Sequence, residues 1–514
     1  MASSWLKSAV FYEIYPNSFM DSDGDGYGDF KGIIAKLDYV KSLGCNAIWL
    51  NPHYDSPFMD GGYDVRDYFK VSERFGTEED FDEFIATAHA KGIKVILDLV
   101  PGHTSEQNAD FLKSAEPVKN ELSDRFIWTD DIWRDYDGVN GIGGRYDRNG
   151  KYIVNFFATQ PALNYGYNRV DYPEWQMPYT SKAAKATREW LKSVMRFWLD
   201  RGADGFRVDM ADSLVKNDGE RNEKPATTEL WLDIRAMLDK EYPDCVLVSE
   251  WSDPQAARAG FHVDFMLEHA GNPYNLLLRG DKNNGVRAYF DPAGGNAEAF
   301  ADGFTDWYEK VRSSGGSIGI ITCNHDTARL APMYDAEQLK LIYATLFTLP
   351  GVPFIYYGDE IGMKYIADLP SVECGFNRTG SRTPMQWSME KNAGFSGAEH
   401  TFLPTFADKQ TNVAAQQKDK KSLLNFLKEF LAFRKTRKEL ASDDFEVLYA
   451  KGSEPLVYKR GGLTVAVNPL KTKQTVPVAL PPKTKALFSA GKEAKAQKTC
   501  IAVPPLSFTI FGEK

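Results

Sequence analysis

The sequence has few cysteines, no clustered zinc ligands and no excess of basic residues. Its five cysteines are widely spaced and include no Cys-x-x-Cys pair, which argues against a structural zinc site and favours mostly buried thiols. The formal net charge of −10 argues against binding to a nucleic-acid backbone, which requires an excess of Lys and Arg. We therefore expect no nucleic-acid partner.

Signals for secretion and membrane insertion are also missing. The N-terminal residues contain no apolar core of a signal peptide, so we expect a cytoplasmic protein, or a secreted or periplasmic one whose leader has been removed. The most apolar stretch, 341–357, contains Pro350, Gly351 and Pro353. It is predicted to form a helix, a turn and a buried strand, and no membrane partner is expected. The oligomeric state is left open, and a monomer is compatible with the sequence.

The length and composition are typical of an ordinary globular protein with several domains. Of its 514 residues, 43% are hydrophobic and 26% are charged. Aromatic residues make up 13%, which suits either a large core or the stacking of sugar rings. Composition alone does not separate these two uses.

Short apolar runs alternate with helix-period segments along most of the chain. Runs without strict alternation are typical of strands that are buried on both faces. Eight such strands are predicted, at 10–16, 46–52, 94–100, 205–209, 245–250, 263–267, 319–323 and 353–357. Alternation of eight strands with helices predicts an α/β fold, a (β/α)8 TIM barrel.

Two departures from this alternation predict the domain organisation. About eighty residues separate the third strand from its helix, too many for a plain loop. We therefore expect residues 1–103 and 182–440 to form the barrel and 104–181 to form an inserted subdomain over its mouth. After about residue 441 the pattern changes to period-two strands, which predicts a C-terminal antiparallel β-sandwich over 441–514.

Charged side chains follow the predicted barrel strands where catalytic groups of such barrels lie. Four strands end in Asp98-Leu-Val-Pro-Gly-His103, Gly205-Phe-Arg-Val-Asp209, Ser249-Glu250 and Asn324-His-Asp326, and the second leads to Gly61-Gly-Tyr-Asp64. A single Asp after a strand is usually a helix cap or a surface residue. Burying several carboxylates together is unfavourable, so this concentration points to chemistry.

Three carboxylates with His and Arg, but without metal-ligand spacing, suit acid–base chemistry on an uncharged substrate such as a glycoside. Arg207 stands two residues before Asp209 and shares its face of the strand, so it is expected to keep Asp209 ionised as a nucleophile. Glu250 adjoins Trp251, and partial desolvation there is expected to raise its pKa, as a general acid requires.

These segments resemble the four conserved regions of the α-amylase family of glycoside hydrolases (family thirteen). Tyr357-Gly-Asp-Glu-Ile-Gly362 and Arg382-Thr-Pro-Met-Gln-Trp387 resemble its oligo-1,6-glucosidase and α-glucosidase branch. The six motifs occur in order over nearly the whole chain. The resemblance implies a glycosidase with Asp209 as the nucleophile, Glu250 as the acid/base and Asp326 as a third carboxylate that holds sugar hydroxyls.

The resemblance also implies a set of substrate-binding residues. His103 and His325 would bind hydroxyls of one glucose, and Tyr63 would stack beneath it. Asp64 and Arg382 would clamp its 4-hydroxyl and close the pocket, which would give exo-action from the non-reducing end. Arg378 and Phe156 are expected on the side of the leaving sugar, and Arg207 near the nucleophile.

The segment Asp21-Ser-Asp-Gly-Asp-Gly-Tyr-Gly-Asp29 predicts a metal loop. It places oxygen ligands at Asp21, Asp23, Asp25, the Tyr27 carbonyl and Asp29, as in the first part of an EF-hand. The bidentate Glu of position 12 is missing, because Gly32 stands there. A solvated acidic turn is the alternative, but such dense carboxylates favour a cation, and the resembled branch carries a structural Ca²⁺ here.

The expected substrate is a short maltooligosaccharide or another α-glucoside, but linkage preference stays open. Met210, directly after the nucleophile, departs from the small or branched residue common in the branch. Three rival functions also stay open: an endo-acting α-amylase, a glucosyltransferase or isomerase of the same fold, and a binding protein without catalysis. The presence of Asp209, Glu250 and Asp326 argues against the last.

Overall fold

Eight parallel strands close into one barrel. The protein is described by a computed structural model that covers residues 4–267, 272–281, 285–291, 293–406 and 408–513. In ring order, the first strand pairs with both the second and the last. In chain order the strands are β1 Phe11–Ile14, β2 Ala47–Leu50, β3 Lys94–Leu99, β4 Gly205–Val208, β5 Val246–Ser249, β6 Val263–Phe265, β7 Ser317–Ile320 and β8 Val352–Tyr356. Each overlaps a predicted run, so the (β/α)8 barrel is confirmed.

The strands lack strict alternation because both faces are buried. Inside the barrel, Phe11 of β1 stacks on Phe354 of β8 at 4.4 Å between ring centroids, and Trp49 stacks on Phe265 at 5.2 Å. The outer faces pack against helices in a second, larger apolar core. Removal of both faces from water makes the barrel a rigid base for the loops at its carboxyl end.

Helices follow most strands and begin at identifiable caps. Thr77 and Asp80 form a reciprocal capping box at one helix, and Asn296 caps another. The main helices are Phe30–Leu43, Glu78–Ala90, Lys182–Asp200, Pro225–Glu241, Ala297–Ser313, Ala336–Leu346 and Leu423–Lys435, and shorter ones are Pro16–Phe19, Ala109–Ser114, Gln255–Arg258 and Val413–Lys418. None of the helices in the described ranges combines the length and apolarity that a membrane crossing requires.

The segment between β3 and the helix Lys182–Asp200 contains the short helix Ala109–Ser114 and a two-stranded sheet, Gly141–Gly143 with Lys151–Ile153. It has its own apolar cluster, which includes Tyr136, Tyr167 and Trp175. A bridge between His103 and Ala162 attaches it to the carboxyl end of β3. This attachment holds the segment beside the ends of the barrel strands.

The C-terminal region forms two antiparallel sheets, as predicted. One contains, in spatial order, Glu446–Tyr449, Leu456–Arg460, Leu463–Asn468, Ser507–Gly512 and Lys485–Ala490, and the other Gln474–Val476, Ile501–Val503 and Lys495–Ala496. A shared apolar cluster that includes Val457, Val476 and Ile501 joins them. The period-two pattern predicts strands at 445–449, 455–460, 463–468, 475–479 and 507–511. Three observed strands lie outside these ranges because they lack that alternation: Lys485–Ala490, Lys495–Ala496 and Ile501–Val503.

Candidate active site

The polar side chains at the strand ends converge on one cavity of about 210 Å³. It opens at the carboxyl end of the barrel, where active sites of this fold lie. Its walls are formed by residues from several strand ends and from the inserted segment: Asp60, Tyr63, His103, Phe156, Asp209, Met210, Asp212, Arg221, Glu250, Leu267, Asp326 and Arg378. All three predicted catalytic carboxylates therefore face the same space.

Arg207 lies beneath the cavity and is shared by three carboxylates. Its fully buried guanidinium places Nη1 2.8 Å from Asp98 Oδ1 and 3.2 Å from Asp209 Oδ1. Nη2 lies 2.8 Å from Oε2 of Glu250. One positive charge thus offsets three carboxyl groups, and it fixes the nucleophile and acid/base candidates on the same support.

This sharing changes the expected electrostatics of Asp209. Burial and the neighbouring Glu250 raise the pKa of Asp209, and Arg207 only partly opposes them. Arg207 lies beside Asp209 as expected, but its charge does not offset the effects of burial and Glu250 on the pKa of Asp209. The carboxyl of Asp209 accordingly retains a proton to higher pH than an isolated aspartate would.

Glu250 is held by hydrogen-bond donors, contrary to the expected apolar surroundings. Its Oε2 accepts from the amide of Met210 at 3.1 Å in addition to the contact with Arg207. Its side chain is 20% exposed to solvent. The indole of Trp251 is used elsewhere, since its Nε1 donates to the carbonyl of Arg221 at 3.0 Å.

Asp326 is surrounded by cationic groups. Arg382 Nη2 and Arg378 Nη1 lie 2.7 and 3.1 Å from its Oδ1, and His325 Nε2 lies 3.2 Å from Oδ2. Burial opposes ionisation, but His325 and the two arginines hold the pKa of Asp326 well below its usual range. Asp326 is therefore a fixed anion that can accept hydrogen bonds from sugar hydroxyls.

His325 belongs to a layer of buried polar side chains under the cavity, together with Glu13 and Tyr63. Its Nδ1 lies 2.8 Å from Oε1 of Glu13, and its Nε2 lies 2.7 Å from the hydroxyl of Tyr63. Burial opposes the charge, but Asp326 and Glu13 raise the pKa of His325 to about 9. The rings of Tyr63 and His325 stack at 5.2 Å, and Tyr63 forms part of the cavity wall.

His103 lies on the same wall but in a different protonation environment. Its Nε2 lies 3.0 Å from the carbonyl of Tyr63, and its Nδ1 lies 3.2 Å from the amide nitrogen of Asn155. Burial and the nearby Lys216 lower the pKa of His103 to about 4. His103 is therefore neutral at pH 7, whereas His325 is charged.

The predicted clamp between Asp64 and Arg382 is not formed. Asp64 is fully buried, and its carboxylate accepts from the amides of Met59 and Asp60 at 2.9 and 3.0 Å and from the Ser56 hydroxyl at 3.1 Å. It holds its own loop together. Arg382 is also buried and reaches Asp326, but it does not line the cavity.

Asp60 and Arg378 form an acid–arginine pair that does line the cavity. Arg378 Nη2 lies 2.8 Å from Asp60 Oδ1, and both side chains line the cavity beside Asp326. The amide of Gln160 fixes the second Asp60 oxygen at 2.8 Å. Sequence reasoning missed Asp60. It placed Arg378 with Phe156 on the side of the leaving sugar, and the Arg378 guanidinium lies 5.9 Å from the Phe156 ring centroid. The sequence signal that could have identified Asp60 is its position three residues before Tyr63, in the same short loop.

Phe156 lies at the rim of the cavity and is 51% exposed. Phe157 packs against it at 4.5 Å between centroids, and Phe376 approaches Phe157 at 5.7 Å across the mouth. Met210 adopts a positive φ of 41° and also lines the wall. Apolar surface near the entrance is consistent with a sugar ring passing over it.

The acidic loop brings together only part of its predicted ligand set. Carboxylate oxygens of Asp21, Asp23 and Asp29 lie within 4.8 Å of one another, and Asp25 is not in this group. Asp25 Oδ1 instead accepts from the amide of Tyr27 at 2.8 Å. Three hard oxygen ligands at this separation fit a cation such as Ca²⁺. The loop is separate from the residues that line the cavity.

Comparisons with known proteins agree with this architecture. Residues 13–443 match the family model described as Alpha amylase, catalytic domain. The chain is 34% identical over 507 residues to a trehalose synthase/amylase of Mycolicibacterium smegmatis, with 89% of this chain and 81% of the relative covered. It is 32% identical over 531 residues to a salivary alpha-glucosidase of Anopheles gambiae, with 92% and 86% covered.

Solved structures resemble the entire chain. The trehalulose synthase MutB from Pseudomonas mesoacidophila MX-45 superposes with a TM-score of 0.80 at 25% sequence identity, and both chains are fully covered. The similarity therefore extends through the inserted segment and the C-terminal sheets.

Proposed function

This chain belongs to the α-amylase family of glycoside hydrolases, and we propose that it is a retaining α-glucosidase that removes glucose from the non-reducing ends of short maltooligosaccharides. The family makes it a glycoside hydrolase with a carbohydrate substrate. The chain-length preference, the direction of attack and the residue roles are the parts proposed here.

The observation that carries the proposal is the closed end of the cavity. Asp60 and Arg378 meet at 2.8 Å beside Asp326, and their side chains are only 4% and 16% exposed. The cavity of about 210 Å³ is smaller than the roughly 300–1,000 Å³ of typical ligand sites. A pocket that is small and blocked at one end accepts a chain terminus better than the middle of a polysaccharide.

In this proposal Asp209 attacks the anomeric carbon while Glu250 donates its proton to the glycosidic oxygen. The bond to the leaving sugar breaks, and a covalent glucosyl ester forms on Asp209. Glu250, now ionised, takes a proton from water, whose oxygen displaces Asp209 and releases glucose with its original α-configuration. Arg207 holds both carboxyls. Asp326 and Tyr63 face the distorted ring, and His325 holds these two residues from below.

The acidic loop is proposed as a structural Ca²⁺ site held by Asp21, Asp23 and Asp29. What supports it is the mutual approach of three carboxylates, which repel one another without a cation. Bound Ca²⁺ would neutralise these charges and hold the loop after β1. It would not contact substrate.

The test is a product time course on maltotriose, isomaltose and soluble starch, with the released anomer followed by NMR. Early α-glucose from maltotriose, with starch chains remaining long, supports the proposal. A rapid fall in starch chain length would establish an endo-acting α-amylase instead. Release of β-glucose as the first product would reject the retaining mechanism. The Asp209→Asn protein is the negative control for background hydrolysis.

A second candidate is an isomerase or glucosyltransferase, favoured by the relative named as a trehalose synthase/amylase. Such an enzyme uses the same glucosyl ester but transfers it to a retained sugar. Incubation with concentrated maltose decides between the two functions. Disaccharides other than maltose as the main early products would establish transfer, and accumulation of glucose would establish hydrolysis.

A further inference from the structure

A second acid–arginine pair lines the cavity and has no role in the mechanism above. Asp212 Oδ2 lies 3.6 Å from Nε of Arg221, and both residues form part of the cavity wall. Asp212 follows Asp209 by three residues in the turn after β4. Unlike Arg378, which is 16% exposed, the Arg221 side chain is 47% exposed. The Arg221 side chain is therefore accessible to a ligand, and the Asp212 side chain, which is 16% exposed, meets the cavity at its wall.

Arg221 is anchored to the residue that follows the acid/base candidate. Its Nη1 donates to the carbonyl of Trp251 at 2.8 Å, and the indole Nε1 of Trp251 donates back to the carbonyl of Arg221 at 3.0 Å. Trp251 is 1% exposed, so its position is set by the core. This reciprocal contact fixes the Arg221 guanidinium against the backbone of the residue after Glu250, and both Arg221 and Glu250 line the cavity.

The two acid–arginine pairs lie with different catalytic carboxylates. Asp60 and Arg378 accompany Asp326, whereas Asp212 and Arg221 adjoin the segments that carry Asp209 and Glu250. The group that receives the proton of Glu250 is the leaving sugar. A donor and an acceptor beside Glu250 are therefore placed for the leaving sugar, while Asp60 and Arg378 hold the glucose that stays.

We propose that Asp212 and Arg221 bind hydroxyl groups of the leaving sugar and make the enzyme selective for a sugar over an aryl leaving group. This inference rests on the proposed glucosidase function. Arg221 supplies charge-assisted donors and Asp212 supplies a charge-assisted acceptor, so adjacent ring hydroxyls satisfy both. An aryl group satisfies neither.

Selectivity between two leaving groups provides the test. The value of kcat/KM is measured for maltose and for p-nitrophenyl α-glucoside with wild-type enzyme, Arg221→Ala and Asp212→Asn. We expect each variant to lose at least tenfold more kcat/KM with maltose than with the aryl glucoside, because only maltose presents hydroxyls to the pair. Arg312→Ala, whose guanidinium is half-exposed on the helix Ala297–Ser313, is the matched control.

A second readout does not depend on the binding of an intact disaccharide. With p-nitrophenyl α-glucoside as donor and added glucose as acceptor, the glucosyl ester partitions between water and glucose. Both variants should lower the ratio of transfer to hydrolysis at least fivefold. Unfolding curves that coincide with the wild type establish that the fold is retained.

The possible outcomes separate the inference from the function on which it rests. If the wild type hydrolyses neither substrate, the proposed glucosidase function fails, and the inference fails with it. If the wild type hydrolyses both but the variants lose the two activities equally, or lose neither, the glucosidase function stands and the role of Asp212 and Arg221 is rejected.

Discussion

Asp60 and Arg378 are 318 positions apart in the chain, yet Oδ1 of Asp60 lies 2.8 Å from Nη2 of Arg378. Their contact joins the loop after β2 to the segment after β8 and forms part of the cavity wall. Asp64, only four residues after Asp60, is turned into its own loop. These two aspartates therefore have different roles that substitution can separate.

Asp60→Asn should reduce kcat/KM for maltotriose by about a hundredfold with little change in unfolding temperature, because it removes a charged acceptor at the closed end of the pocket. Asp64→Asn should instead lower the free energy of unfolding by about 1–3 kcal/mol, since its oxygens accept buried amide hydrogen bonds. Steady-state kinetics and urea unfolding of both variants make the comparison. The opposite pattern would restore Asp64 to the substrate site.

Glu250→Gln should lower activity in a way that depends on the leaving group. A general acid contributes about 10²–10⁴-fold, and maltose needs the proton far more than a nitrophenolate does. We expect kcat for maltose to fall by at least a thousandfold and the first step with p-nitrophenyl α-glucoside to fall much less. Burst kinetics measure that step. Equal losses with both substrates would argue against Glu250 as the acid.

Asp209→Asn should lower kcat for maltose and for p-nitrophenyl α-glucoside by several orders of magnitude while the protein stays folded. The reason is that the amide cannot form the glucosyl ester. Activity with both substrates and a thermal unfolding curve provide the measurement. An active Asp209→Asn protein would remove Asp209 from the role of nucleophile.

Protonation of His325 should link stability to pH between about 6.5 and 9. Burial opposes its charge, but Asp326 and Glu13 raise its pKa from 6.5 to about 9. A raised pKa means that the folded protein binds the proton more tightly. This contribution is fully present below pH 6.5 and is lost as the pH rises through 9, with a slope of up to about 1.4 kcal/mol per pH unit.

Glu13→Gln removes one of the two charges that raise this pKa, so the decline should still begin near pH 6.5 but end at a lower pH and span a smaller total change. Urea unfolding at intervals from pH 6 to 9.5 measures it. Burial raises the pKa of Asp264 to about 7, so Asp264 titrates in the same range and the difference from wild type is the relevant quantity. His400→Gln, at an exposed histidine, is the control. Parallel curves for wild type and Glu13→Gln would contradict the linkage.

Calcium should raise the unfolding temperature without changing the initial rate on substrate at 25 °C. Saturation to a hundred times the dissociation constant adds about 2.7 kcal/mol to stability. Asp21→Asn should abolish the calcium-dependent increase, because Asp21 belongs to the carboxylate cluster. Asp25→Asn should retain most of it, since Asp25 lies outside that cluster. A wild-type unfolding temperature that EDTA and calcium leave unchanged would reject the site.

The sequence by itself determined the barrel and the location of its chemistry. Short apolar strands and capped amphipathic helices are local patterns, and the end of each strand is a local feature as well. Asp209, Glu250 and Asp326 could therefore be placed at one face of the barrel without knowledge of any contact. The C-terminal strands with strong period-two alternation were predicted for the same reason. The strands without it were missed: Lys485–Ala490, Lys495–Ala496 and Ile501–Val503.

Tertiary structure alone decided which neighbours these residues have. Whether Asp60 or Asp64 reaches the cavity depends on the turn taken by one loop and on an arginine more than three hundred residues away. Arg207 stands near Asp209 in sequence, but only closure of the barrel adds Asp98 and Glu250 to the same guanidinium. Charge interactions depend on distance in space and on burial, neither of which is encoded in residue spacing.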